Sequence, residues 1–245
     1  MKLTVGSICA GIGGWDLGLE RAGMVTRWQV ELDPWCRRVL ARHFPHAERY
    51  EDAHAVDYTE VGYVDVIAAG YPCQPFSVAG LRRGSDDPRN VWPAVARAVR
   101  DIRPRFVLLE NVAAHLSLGF SDVLGDLATL GYDARWEVLP AAAFGAPHLR
   151  ERVWVIATWP AASNTSGQRC EELDAATEPG HMGHPAGAPD SHWSSGPSQP
   201  WVRRVDDGVP RGLDRRRLRA LGNALVPQIA EYIGRQVVRM SEAAA

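Results

Sequence analysis

Leu3-Thr4-Val5-Gly6-Ser7-Ile8-Cys9-Ala10-Gly11-Ile12-Gly13-Gly14-Trp15 is the stretch from which the fold is read. Residues 3–8 predict a buried strand, 10–14 a glycine-rich turn, and 15–22 an amphipathic helix stopped by Gly23. Strand, glycine turn and helix in this order form the nucleotide-binding opening of a Rossmann-like α/β fold. The glycines let the backbone approach a ligand, and the helix N-terminus faces it. The spacing departs from the dinucleotide pattern, because the third glycine counted from Gly11 and Gly13 falls at Asp16. A ligand with an adenosine group but no diphosphate is therefore expected against Ala10, Gly11, Ile12, Gly13, Gly14 and Trp15.

Outward from this turn, residues 25–30 predict a second strand ending in Glu31-Leu32-Asp33. An acid at that point is placed for ribose hydroxyls. Asp33, just before Pro34, reads better as the cap of a helix over 34–43, which leaves Glu31 for the ribose. Asp52 and Ala53 follow in the next strand-to-loop turn, where a carboxylate can accept from an adenine amino group.

The apolar run 64–69 predicts another strand, which opens into Gly70-Tyr71-Pro72-Cys73-Gln74-Pro75-Phe76-Ser77. Pro72 and Pro75 restrict the backbone on either side of Cys73, so its thiol is presented in one direction. Cys73 is a candidate nucleophile, with a small buried hydrophobe as the plain alternative. Residues 78–89, with Gly80, Arg82, Arg83 and Gly84, read as a lid or phosphate-contacting loop. A helix over 91–102 and a strand over 105–109 lead to Glu110-Asn111-Val112. The strand ends in these residues, and a carboxylate at its carboxyl end is expected beside the cysteine's strand in a parallel sheet. A helix over 121–130 precedes two closing strands, 132–139 and 152–157. Arg150 and Arg152 stand at alternate positions between them, which on an extended segment puts both on one face. The final helix is expected over 226–240, after a turn at Gly222-Asn223-Ala224.

Hydrophobic residues make up 46% of the 245 and charged ones 23%, ordinary values for a globular chain. No run has the ~18 apolar residues of a membrane helix, and Met1-Lys2-Leu3 leads to the expectation of no signal peptide. The four cysteines are scattered, as suits free thiols. Cys170, His181, His184 and His192 match no standard zinc spacing, so no metal is expected. Net charge is −2, yet between Trp201 and Ala220 seven arginines face three aspartates, which fits phosphate contact as well as a solvated face.

In this order, the glycine turn, Glu31, Asp52, Pro72-Cys73-Gln74, Glu110-Asn111-Val112, Arg150-Glu151-Arg152 and Gly222-Asn223 resemble the cytosine-C5 DNA methyltransferase family. The resemblance covers residues 3–158 and resumes over 221–238. It implies an α/β, Rossmann-like S-adenosylmethionine-dependent fold, mostly parallel with helices on both faces, plus a small irregular recognition lobe. It implies catalysis by Cys73, Glu110, Arg150 and Arg152: the thiolate adds to C6 of a flipped-out cytosine and Glu110 supports N3. Arg152 would contact the base O2 and Arg150 would support the site. C5 would then take the methyl group of S-adenosylmethionine, leaving S-adenosylhomocysteine. Cofactor contacts would come from residues 10–15, Glu31, Leu32, Asp52, Ala53, Gly70, Pro72 and Asn223.

The resemblance implies double-stranded DNA as partner, met by Gln74, Ser77, Arg82, Arg83, Arg203, Arg204, Arg215 and Arg216. Residues 1–158 would form the catalytic domain, 159–220 a short target-recognition region, and 221–245 a helix returning to the first. A bacterial or phage-infected cytosol is expected, with a restriction endonuclease companion and a monomer or dimer both open. The chain departs from the family at Cys9, where phenylalanine is usual, at His148-Leu149, and at Ala224. Rival readings are a tRNA cytosine-5 methyltransferase, whose Cys-Phe-Thr signature is absent, a non-catalytic DNA-binding relative, and a nicotinamide oxidoreductase.

Overall fold

A computed structural model describes residues 2–72, 90–146, 148–159 and 220–243. Its centre is a seven-stranded sheet in the order β3-β2-β1-β4-β5-β7-β6. The strands are β1 (Thr4–Ile8), β2 (Val25–Val30), β3 (Glu48–Tyr50), β4 (Val66–Ala69), β5 (Phe106–Val112), β6 (Asp133–Pro140) and β7 (Glu151–Thr158). From β3 through β5 all neighbours are parallel, whereas β7 runs antiparallel to both β5 and β6. The helices are α1 (Gly14–Arg21), α2 (Pro34–His43), α3 (Trp92–Ile102), α4 (Phe120–Thr129) and α5 (Pro227–Ala243). The doubly wound layout expected from the glycine turn is the one observed.

Side-chain alternation sorts the core into two layers. Ile67, Ala69, Val107 and Leu109 pack with Val95 and Val99 of α3 and Val123 and Leu127 of α4. Val66, Ala68, Phe106 and Leu108 face the other way, onto Trp15 and Leu19 of α1 and Ile229, Ile233 and Val237 of α5. Helices α1 and α5 approach closely because Gly18 has no side chain. A Cβ there would lie 2.5 Å from both the Ala230 Cβ and the Pro227 carbonyl oxygen. This contact carries the chain's last helix to the glycine turn, and with it the segment at 220–226.

Glu110, Asn111 and Val112 close β5, because β7 continues the ladder past the end of β4 through the pairs Glu110↔Trp154 and Val112↔Arg152. Two local differences from expectation have physical causes. Asn223 ends a helical turn over 220–223, closed by Ala224 N–H donating to the Ala220 carbonyl at 2.9 Å. Arg150 has φ of 38°, in the left-handed region, so it is not an extended neighbour of Arg152. The two arginines therefore do not share a face.

Candidate active site

The glycine turn is held from both sides. Ala10 N–H donates to the Val30 carbonyl at 3.1 Å, and Gly13 N–H to the Ala10 carbonyl at 2.9 Å. Gly11 adopts φ of 58°, and a Cβ at that position would meet nothing within 4 Å, so the turn faces open space. Glu31, at the end of β2, accepts from Gly11 N–H at 2.7 Å through Oε2 and from Asp33 N–H at 2.8 Å through Oε1. The ribose candidate is thus oriented by the turn itself. Asp33 caps α2 as expected, accepting from Trp35 and Cys36 N–H. Asp52 accepts from His54 N–H and, with Tyr50, Val56 and Val61, lines an open cleft of about 460 Å³. Leu32, 70% exposed, stands after Glu31, while Ala53 is buried in the core.

Across the sheet, Gly70 leaves a recess between two side chains. A Cβ built there would sit 3.5 Å from Glu110 Oε2 and 4.0 Å from Trp15 Nε1. The Trp15 indole N–H is buried without a hydrogen-bond partner among the described residues. An open glycine turn, an oriented acid and a donor awaiting an acceptor together suit a nucleoside ligand with a polar tail, which S-adenosylmethionine is.

Glu110 Oε1 lies 3.3 Å from Arg152 Nε. Burial pushes the Glu110 carboxyl up to about 7, against the opposing pull of Arg152 and then Arg150. The group can therefore be protonated near neutral pH while still held by a cation, which is what a carboxyl acid needs. Arg150 acts on this pair electrostatically, but its hydrogen bonds go elsewhere: its Nη2 donates to the carbonyls of Gly222 at 2.8 Å and Ala224 at 2.6 Å.

Tyr71, one residue before Pro72, is anchored twice in a way not anticipated from sequence. Asn111 Nδ2 donates to the Tyr71 carbonyl at 3.1 Å. The Tyr71 hydroxyl donates to His115 Nε2 at 2.9 Å, because His115 Nδ1 must carry the proton that it gives to the Leu118 carbonyl at 2.8 Å. Burial lowers the His115 pKa, favouring this neutral ring. His115 lies in no motif, and only the tyrosine before Pro-Cys-Gln hinted at a partner.

The structure brings residues 10–15, Glu31, Gly70, Glu110 and Arg152 to one end of the sheet, with residues 222–224 tied to it through Arg150. Pro72 is exposed at the same end, where β4 gives way to the cysteine loop. Cys73, Gln74, Ser77, Arg82, Arg83, Arg203, Arg204, Arg215 and Arg216 lie outside the described residues, as do the loop at 78–89 and nearly all of the region at 159–220. Cys9 is no substitute nucleophile. Burial first, and then Glu31, push its thiol up to about 12.

Comparison with known proteins agrees with this geometry. The chain is 37% identical over 163 residues to the Type II methyltransferase M.NgoMIV of Neisseria gonorrhoeae, covering 64% of this chain and 52% of that protein. It is 35% identical over 195 residues to the Type II methyltransferase M.NaeI of Lentzea aerocolonigenes, covering 71% of this chain and 47% of that one. The chain thus spans about half the length of these curated relatives. The crystal structure of a Spodoptera frugiperda DNMT2 mutant superposes with a TM-score of 0.57 at 20% identity, covering 69% of this chain and 54% of that one, and so supports the fold. The family model for C-5 cytosine-specific DNA methylase matches residues 3–181. The match spans the glycine turn, the cysteine loop and the Glu110–Arg152 pair: this chain belongs to the C-5 cytosine-specific DNA methylase family.

Proposed function

We propose that the chain methylates C5 of cytosine in double-stranded DNA, with S-adenosylmethionine as methyl donor. The observation that carries this reading is Glu110, buried beside Arg152 with its carboxyl raised to about 7. The cofactor, when bound, supplies an electrophilic methyl group. The chain supplies what makes cytosine reactive enough to take it. The Cys73 thiolate adds its electron pair to C6 while the Glu110 carboxyl gives its proton to N3, which leaves C5 electron-rich. Arg152 holds the Glu110 carboxylate as the proton leaves and reaches the base O2. After methylation C5 gives its proton to solvent acting as base, the C6–sulfur bond breaks to release Cys73 as thiolate, and N3 returns its proton to the Glu110 carboxylate. The cytosine must leave the duplex to reach these groups.

In this reading Glu31 takes the ribose hydroxyls, and Asp52 takes the adenine amino group with Ala53 beside it. Leu32 lies along the ring, residues 10–15, Gly70 and Pro72 line the tail, and Asn223 closes the pocket. Gln74, Ser77, Arg82 and Arg83 would meet the DNA near the extruded base. Arg203, Arg204, Arg215 and Arg216 would meet its phosphates. No helix among the described residues is long and apolar enough to cross a membrane. Action in a bacterial or phage-infected cytosol, beside a restriction endonuclease, would suit a host whose own DNA needs marking.

The test is expression in a host lacking cytosine methylation, followed by mapping of 5-methylcytosine across its DNA. Methylation at one short motif would establish both activity and sequence reading. Unmethylated DNA from cells that hold soluble protein able to bind the cofactor would overturn the proposal.

A further inference from the structure

Arg150 was expected beside Arg152 on the base-binding face, and the structure gives it other partners. Its backbone sits in the left-handed region at φ 38°, a conformation uncommon for a side chain of this size. That turn lets the guanidinium hydrogen-bond the chain's last segment while it still acts electrostatically on Glu110. There it donates to the carbonyls of Gly222 and Ala224, the residues on either side of Asn223. Two charge-assisted bonds from one planar group to two carbonyls fix orientation as well as distance. Gly222 and Asn223 are themselves exposed, so side-chain burial does little to hold this turn.

We propose that Arg150 is a positioning residue for the cofactor side of the site: it straps the turn bearing Asn223 to the start of β7. The inference rests on the reading above in taking Asn223 as a cofactor contact. The run Arg150-Glu151-Arg152 then divides its work. Arg152 serves the base through Glu110, while Arg150 serves the cofactor through residues 222–224. A single residue, Glu151, separates the two tasks, so strand β7 joins both halves of the site.

The test compares wild type, Arg150→Ala, Arg150→Lys, Asn223→Ala and Arg152→Ala. The readouts are S-adenosylhomocysteine affinity by calorimetry, hydrogen exchange at residues 220–226, and covalent capture by DNA containing 5-fluorocytosine at saturating cofactor. Arg150→Ala is expected to speed exchange across 220–226 and weaken S-adenosylhomocysteine about tenfold. Capture at saturating cofactor and pH 6, below the Glu110 limb in both proteins, should stay within about threefold of wild type. Arg150→Lys should recover part of the affinity, because an ammonium can reach one of the two carbonyls. Combining Arg150→Ala with Asn223→Ala should weaken binding little beyond either alone. Arg152→Ala should lose capture and keep affinity. Wild-type affinity and exchange in Arg150→Ala, or loss of capture with affinity intact, would overturn the strap. A wild-type protein that binds the cofactor product yet neither captures nor methylates DNA would overturn the proposed function and leave the strap standing. A wild-type protein that does not bind it would overturn both.

Discussion

Glu110 and Arg152 meet diagonally across the β5–β7 ladder. Glu110 is registered with Trp154 and Arg152 with Val112, yet Arg152 Nε reaches Glu110 Oε1 at 3.3 Å. Residues two apart on an extended strand share a face, so Glu110, Trp154 and Arg152 all point to the same side. Trp154, directly opposite Glu110 in the ladder, packs edge-on against Trp15, with ring centroids 5.1 Å apart. Glu110 is itself buried, and burial dominates its titration.

Glu110→Gln should slow covalent capture by 5-fluorocytosine DNA roughly 100-fold or more, the usual scale for loss of a positioned acid. S-adenosylhomocysteine affinity should change less than about threefold. A variant that captures DNA at the wild-type rate would remove Glu110 from the chemistry.

The pH dependence of capture should show a descending limb near 7. The Glu110 carboxyl is raised to about 7, so its proton is present below that pH and lost above it. Arg152 and Arg150 both lower this value, so Arg150→Met should move the limb upward. A limb that stays in place would show that another group titrates there.

Cys73→Ser should abolish the DNA adduct, and Cys9→Ser should keep it. The Cys9 thiol, raised to about 12, is almost wholly protonated at neutral pH. Mass spectrometry of the trapped peptide reads the answer directly, and an adduct on Cys9 would refute the assignment.

Asp16 is fully buried, accepting from Ser7 Oγ at 2.8 Å and Gln29 Nε2 at 2.9 Å, while its Oδ2 is unpartnered among the described residues. Burial raises its carboxyl from 3.8 to about 6. A raised carboxyl binds its proton more tightly in the folded state, so stability is lost as pH rises from about 4 through about 6. Asp16→Asn should remove that loss, gaining roughly 1–3 kcal/mol at pH 8 relative to pH 4 in urea melts. An unchanged pH slope would assign the loss elsewhere.

Gly18→Val should destabilise the fold by roughly 1–3 kcal/mol, because its side chain would enter the backbone of α5. Cofactor affinity should fall with it, since α5 carries the segment at 220–226. A thermal melt identical to wild type would mean that the helices can separate without cost.

The sheet was legible in sequence because its strands are short apolar runs that end in glycines, acids or prolines. The ends of β2 and α2 fall where the apolar run before Glu31 and the Asp33-Pro34 start signal place them. Glu31 and Gly70 could be placed for the same reason, since each directly follows a strand. The left-handed Arg150 was not legible, because period-two reasoning assumes extended backbone and no glycine warned of the turn. The α1–α5 contact hides in Gly18 and Gly234, which on their own only weaken two amphipathic patterns.

The antiparallel course of β7 sets a geometric demand on the chain beyond Thr158. That residue is registered with Phe106, and Trp159 N–H donates to the Arg105 carbonyl, so the chain departs at the end of the sheet remote from Glu110. It returns at residues 222–224, moored by Arg150 at the opposite end. Eight residue steps, from Arg150 to Thr158, separate these moorings, a span of roughly 26 Å at about 3.3 Å per residue. Any sequence exchanged between them needs a contour of only about eight residues to close the circuit. Beyond that minimum, the two anchorages place no upper bound on its length, so segments of very different sizes can be grafted between the same two posts.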